Sequence, residues 1–249
     1  MNNKNAVIVN PDIHGRTFWK QNLNTDNITI FLGDYLDPYP FEHITHETAI
    51  ENFKEIIEYK KQNEDKVILL LGNHDYPYLE ETYYYLSRYH SRHAEYLHKP
   101  IHKLYEENKT LFQLAYTYND ILFTHAGVNK TWLTEQLHLS DIVTPQETET
   151  EINKLFNNPT KENMEKLHMV SWLRGGFDNY SSCIWQDVHE MTEFETQFKQ
   201  IFGHTLQGHF TLDNTVVYDP PIITDKYMML DNTKQYIVDT QNFTAERKG

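Results

Sequence analysis

The sequence predicts an α/β domain built on a covered sheet, and three observations predict it. Continuous apolar runs recur early, AVIV (6–9), ITIFL (28–32) and VILLL (67–71). A segment of helical period separates the last two. Each run stops abruptly, and glycine, carboxylate, amide or imidazole residues follow at once. A strand buried on both faces reads as an unbroken apolar run. A helix between two such strands is the crossover that a parallel pair requires.

The elements follow in order. In THETAIENFKEIIEYKKQN, Ile50, Phe53, Ile56 and Ile57 recur at helical spacing behind Thr45, which suits an N-cap. Residues 77–109 are tyrosine-rich and helical in pattern. The pair His98 and His102 has helical metal-pair spacing but no third ligand nearby in sequence, so a solvated helix face is expected there. The tyrosine run 83–85 fits either a helical core or a stacking surface for an aromatic group. LFQLAYTY (111–118) and DILFTHAG (120–127) meet at Asn119–Asp120 and predict a hairpin. Further helices are expected over 130–170, broken at Pro145 and Pro159, with the Glu-rich QETETEINK as an exposed helix start. From Ile201 the runs QIFG, HFTL, TVVYD, YMML and QYIVD return to short strands. With no repeat, low-complexity tract or linker, residues 1–249 read as one domain with a helical insert at about 130–170.

Bulk properties narrow the function. The net charge of −14 excludes duplex nucleic acid, whose non-specific binding depends on basic patches. Cys183 is the lone cysteine, so no intrachain disulfide forms and any metal must be held by nitrogen and oxygen. The start MNNKNAVIVN lacks a signal-peptide core, and no 18 apolar residues run together. A soluble protein of the cytoplasm, with no membrane partner, is the expectation.

The polar residues after the runs carry the chemistry. AVIVN leads to Asp12-Ile13-His14-Gly15, ITIFLG to Asp34-Tyr35-Leu36-Asp37, and VILLLG to Asn73-His74-Asp75. DILFT leads to His125-Ala126-Gly127, and QIFG to His204-Thr205. Ligands of α/β sheets bind where such strand-end loops converge. Asp, Asn and His together suit borderline divalent ions, and a carboxylate can bridge two of them. A pair of ions about 3.5–4 Å apart can clamp a phosphoryl group and acidify a water.

PDIHG, GDYLDPY, GNHD, THAG and FGHT resemble the successive motifs of the calcineurin-like metallophosphoesterases. The order is most similar to the phosphoprotein phosphatase branch and its bacterial relatives, which include dinucleoside tetraphosphate hydrolases. The resemblance spans residues 6 to about 240. It implies a β-sandwich of two mixed sheets flanked by helices. It further implies that Asp12 and His14 hold a first metal, that Asp34 bridges, and that Asn73, His125 and His204 hold a second. His74 matches the family's catalytic acid and Asp37 the carboxylate that orients it. Manganese is the expected ion, with iron, zinc or nickel as alternatives.

The sequence departs from the pattern where phosphate is gripped. Pro38 stands where the phosphatase branch has an arginine, and Leu70 and Leu71 stand where another usually precedes GNH. Leu206 replaces the second histidine of the GHxH of broader phosphodiesterases. Of the five arginines, Arg174 in VSWLRGG is similar to the later phosphate-gripping arginine of bacterial members, and Arg16 beside the DIHG loop is the second candidate. Trp172 is expected to pack and position the Arg174 loop. His209 and Cys183 read as structural.

The resulting expectation is a phosphomonoesterase in which a hydroxide generated at two metals attacks phosphorus and His74 protonates the leaving oxygen. The substrate would be a phosphorylated small molecule or a phosphoprotein. A dinucleoside polyphosphate hydrolase with the same centre is the alternative. A non-catalytic scaffold is the third reading, though such scaffolds typically lose ligands that this chain retains.

Overall fold

The structure is a computed structural model that describes residues 5–23, 26–79, 95–140, 143–191, 196–206, 208–210, 216–230 and 232–248. The tyrosine run 83–85 lies outside them, as do the side chain of His209 and residues Arg88 and Arg92.

In chain order come β1 (Ala6–Asn10), β2 (Ile28–Phe31), α1 (His46–Gln62) and β3 (Val67–Leu70). The short α2 (Tyr76–Leu79) and α3 (Glu95–Glu107) follow, then β4 (Phe112–Gln113), β5 (Ala115–Tyr118) and β6 (Ile121–Thr124). The helices α4 (Lys130–Glu135), α5 (Pro145–Asn157) and α6 (Lys161–Leu167) precede β7 (Lys199–Phe202). The chain ends with β8 (Gly208–Phe210), β9 (Val216–Tyr218), β10 (Ile222–Ile223), β11 (Tyr227–Met229), β12 (Gln235–Asp239) and β13 (Thr244–Lys248).

Two mixed sheets result. One has the order β13-β12-β1-β2-β3-β4, parallel from β1 to β4, and the other β10-β11-β7-β6-β5; β8 and β9 pair by themselves. The continuous apolar strands are explained by two buried faces. Val7, Val9, Ile30 and Leu70 meet Phe123, Ile201 and Met228 between the sheets. The alternate residues Phe31, Val67 and Leu69 face Phe53, Ile56 and Ile57 of α1. Period two along the strands sorts these sets.

Local signals act as their chemistry dictates. Thr45 caps α1 by accepting from the Thr48 N–H at 3.1 Å. The predicted hairpin forms between β5 and β6, with Asn119 and Asp120 at φ 49° and 58°, the left-handed pair of a type I′ turn. Its first strand is shorter than its apolar run, because Phe112–Gln113 pairs with β3 in the other sheet. Asn153 of α5 secures this crossing: its Oδ1 accepts from Leu114 and Ala115 N–H at 2.9 and 3.0 Å, and its Nδ2 donates to Ala115 O. Pro145 opens α5 at its first turn, inside a Thr144–Glu147 capping box, and so starts a helix where the sequence suggested a break.

His98 and His102 do not lie on a solvated face. His98 Nε2 is 3.0 Å from Pro77 O and His102 Nδ1 is 2.6 Å from Tyr78 O. The last carbonyls of α2 have no partner within so short a helix, and the two imidazoles supply one. Among the described residues no helix is long and apolar enough to cross a membrane.

Under α1 the rings of Tyr35, Phe53, Tyr105 and Phe112 pack together, with Phe53 4.8 Å from both Tyr35 and Tyr105, centroid to centroid. Phe53→Ala should therefore cost about 3–5 kcal/mol. Urea unfolding measures it, and a loss under about 1 kcal/mol would show that the cluster collapses around the gap.

Candidate metal centre

The loops after β1, β2, β3, β6 and β7 converge at one end of the sandwich. The first two run against each other: His14 N–H donates to Asp34 O at 2.6 Å and Gly15 N–H to Tyr35 O at 3.0 Å. The last two are coupled through Gly203 N–H to His125 O at 2.8 Å. His204 N–H donates to Asp12 Oδ1 at 2.8 Å, which joins the fifth loop to the first.

This closeness requires small residues. A Cβ on Gly33, at φ 109°, would run into the Gly72 backbone, and a Cβ on Gly72 would overlap Asp34 Oδ1 and stand 2.6 Å from His125 Cε1. The backbone is also strained at four of the residues expected in the site: His14, Asp34, Asp37 and His204 have φ of 43°, 52°, 60° and 68°. Non-glycine residues rarely adopt this region and persist there only when surroundings over-determine them.

The six expected ligands come together. Asp34 Oδ1 accepts from the His74 N–H at 2.8 Å, while Oδ2 lies 3.6 Å from His14 Nε2 and 3.5 Å from His125 Nε2. Asp34 is common to two clusters, His14–Asp34–His74 and Asp34–His125–His204, and within each the donor atoms lie within 4.8 Å of one another. His74 stands in the first cluster where Asp12 was expected. Asp12 turns Oδ1 to the His204 backbone and leaves Oδ2 buried without a hydrogen-bond partner, 4.0 Å from His14 Nε2.

Four observations fit cations in both clusters. His14 Nδ1 is held by Leu36 O at 2.7 Å and His125 Nδ1 by Leu32 O at 2.8 Å. Each carbonyl takes the ring's N–H and leaves Nε2 as a lone pair. His125 Nε2 then meets Asn73 Oδ1 and His204 Nδ1, both at 3.0 Å, an arrangement that a shared cation between them would satisfy. Asp12 Oδ2 and His204 Nε2 are buried orphans. Burial pushes the Asp34 carboxyl well above the ordinary carboxylate range; His74 opposes this, and Asp12 and Asp75 add to it. Burial likewise pushes the His204 imidazole well below its ordinary value, and the positive charge of Arg174 deepens the shift.

His74 is held from behind. Its Nδ1 is 2.8 Å from Asp37 Oδ2, and Asp37 Oδ1 accepts from the Tyr78 hydroxyl at 2.6 Å. Tyr78 has no sequence signal, because its partner is 41 residues away. Asp75 was also missed as more than part of a motif. Its buried carboxylate accepts from Gly72 N–H at 2.8 Å, Asp34 N–H at 2.7 Å, Tyr35 N–H at 3.0 Å and the Tyr105 hydroxyl at 2.5 Å.

The two arginines differ. Arg16 is buried, with Nε 2.7 Å from Glu42 Oε1 and Nη1 donating to Asp12 O at 3.1 Å and Asn232 O at 2.8 Å. These contacts hold the loop that bears Asp12 and His14. Arg174 lies beside the centre: its Nη2 donates to Thr205 Oγ1, next to His204, and its Nε is 2.8 Å from Asp187 Oδ2. Trp172, expected to pack, is instead 69% exposed. Cys183 is buried, which pushes its thiol up and leaves it structural.

Comparison with known proteins agrees with this geometry. The sequence matches the family model described as calcineurin-like phosphoesterase over residues 12–208. No curated protein matches it. Among solved structures, a cold-active protein tyrosine phosphatase superposes with a TM-score of 0.56 at 17% identity, covering 98% of this chain and 78% of that one. A protein serine/threonine phosphatase from Saccharomyces cerevisiae does so with a TM-score of 0.54 at 15% identity, covering 98% and 79%. Both share the fold.

The Asp75 carboxylate invites a direct test. Asp75→Asn puts an amide N–H against backbone donors and should destabilise the protein by about 2–4 kcal/mol, whereas Tyr105→Phe removes one donor and should cost about 1 kcal/mol. Chemical denaturation of the two variants checks the order, and equal losses would contradict it.

Proposed function

Because the chain belongs to the calcineurin-like phosphoesterase family, we propose that it hydrolyses a phosphomonoester at a centre of two divalent cations. Asp12, His14 and Asp34 would hold the first; Asp34, Asn73, His125 and His204 the second. The observation that carries this reading is the position of Asp34 Oδ2, 3.6 Å from His14 Nε2 and 3.5 Å from His125 Nε2. Nitrogen and oxygen donors of this kind suit manganese, with iron, zinc or nickel as alternatives. Cations held there would supply Lewis acidity toward phosphoryl oxygens and acidify a water.

The chain's own residues do the rest. Asp37 holds His74 Nδ1, so Nε2 is the nitrogen presented to substrate, and its proton goes to the leaving oxygen. Tyr78 keeps Asp37 in place. Arg174 offers a guanidinium fork to the phosphate oxygens, which a lysine could not match. Arg16, spent on Glu42 and two carbonyls, supports the loop instead. The net charge of −14 disfavours a polyanionic dinucleoside polyphosphate and favours a single phosphate on a small molecule or protein. The lone buried Cys183 suits a reducing compartment such as the cytoplasm.

The deciding experiment strips the protein of metal, adds back each ion and tests a panel of phosphate esters and diadenosine tetraphosphate. Manganese-restored hydrolysis of monoesters is expected, and no turnover with both metals bound would return the scaffold reading. Asp34→Asn should empty both sites and His204→Ala mainly the second, by elemental analysis. Equal metal content in the two variants would remove Asp34 as the bridge.

His74→Asn should keep both metals and lower turnover about 10²–10⁴-fold, with the smallest loss on aryl phosphates, whose leaving groups need little protonation. Identical losses on aryl and alkyl esters would count against the acid role.

A further inference from the structure

The segment from Val170 to Asp178 is firmly pinned and yet turns its largest apolar side chains to water. Asp178 N–H donates to Val170 O at 3.1 Å, Val170 N–H to Asp178 Oδ2 at 2.9 Å, and Gly176 N–H to Ser171 O at 2.8 Å. A Cβ on Gly176 would collide with Val170 O, so the turn tolerates no side chain there. Below it, the buried Glu190 accepts from the Ser171 and Ser181 hydroxyls at 2.7 and 2.9 Å. Within this framework Trp172 is 69% exposed, Leu173 39% and Phe177 89%.

Single exposed apolar residues need no explanation, but three within six positions of a rigid turn concentrate apolar surface there. A flexible loop could fold them away; this one is held with them outward. Their place is also fixed relative to the centre, because Arg174 sits in the same turn. Its guanidinium is tied to Asp187 and to Thr205, the neighbour of His204. The guanidinium and the three exposed apolar side chains therefore belong to one braced turn beside the centre.

We propose that Trp172 and Phe177 form an apolar rim that receives the aromatic group of a phosphomonoester whose phosphate lies at Arg174 and the metal centre. This rests on the phosphoesterase reading above. Rings of this size supply large contact areas at low entropy cost and prefer offset or edge-on partners. The charge of the chain points the same way, since −14 repels acidic leaving groups and is indifferent to an uncharged ring.

The test uses the metal-loaded full chain and the double variant Trp172→Ala/Phe177→Ala. For each, kcat/KM is measured on phenyl phosphate, a phosphotyrosine peptide and glycerol phosphate. The ratio of aromatic to glycerol ester should fall roughly tenfold or more in the variant. A larger fall for the peptide than for phenyl phosphate would make a protein the source of the ring; equal falls would make it a small molecule. Calorimetric affinities for benzylphosphonate and methylphosphonate should show the same loss of preference without turnover. Unchanged ratios in both measurements overturn the rim while leaving the phosphoesterase reading intact. A preference for benzylphosphonate that the variant loses, in a metal-loaded protein that hydrolyses nothing, would leave the rim and remove the reading.

Discussion

The centre depends on one buried carboxylate. Asp75 accepts from the backbones of Gly72, Asp34 and Tyr35 and from the Tyr105 hydroxyl, and so ties the loop after β3 to the loop after β2. Burial alone pushes such a carboxyl up, and its backbone donors pull it back. Together with the His14 N–H on Asp34 O, that knot holds the Asp34 backbone in its left-handed turn. With it, Asp34 turns one oxygen to the His74 N–H and leaves the other between two imidazoles.

The rest follows from crowding. Three carboxylates, Asp12, Asp34 and Asp75, and the imidazoles of His14, His125 and His204 share a region in which nearly every group is buried. Like charges and orphaned polar atoms in low dielectric are costly unless something compensates. The strained φ values of His14, Asp34, Asp37 and His204 add to that cost. A fold stable in spite of these terms must recover the energy from its apolar cores, and cations held as proposed would offset the rest. Selection for binding accounts for such a cluster; selection for stability does not.

Much of this was legible in the sequence, and the exceptions share a cause. Strands β1 to β3, helix α1 and the hairpin at Asn119–Asp120 were readable because period and turn chemistry are local. The convergence of the residues expected as ligands was readable because each follows its strand directly. Asp75, Tyr78 and Tyr105 were not, since their roles are defined by partners 30 to 41 residues away. The edge strand β13 escaped because TAERK is a polar edge without apolar alternation. Trp172 was misjudged for a related reason: a sequence shows that a residue is apolar, but whether a neighbour covers it is a property of the fold.

Among the described residues, Arg16 and Arg174 are the arginines near the centre. Pro38 occupies a position where related phosphatases are expected to carry a guanidinium, and Arg16 is committed to Glu42 and to two backbone carbonyls. Among the described residues that leaves Arg174, and Asp187 already neutralises part of its charge. A guanidinium in an ion pair acts more by geometry than by field, since its fork fixes orientation while its Coulombic pull is shared. Electrostatics can then hold one phosphate in place but distinguish little among the groups attached to it. On the proposed reading, discrimination would fall to the surface beyond the phosphate, and the braced turn that exposes Trp172, Leu173 and Phe177 is where the rim is proposed.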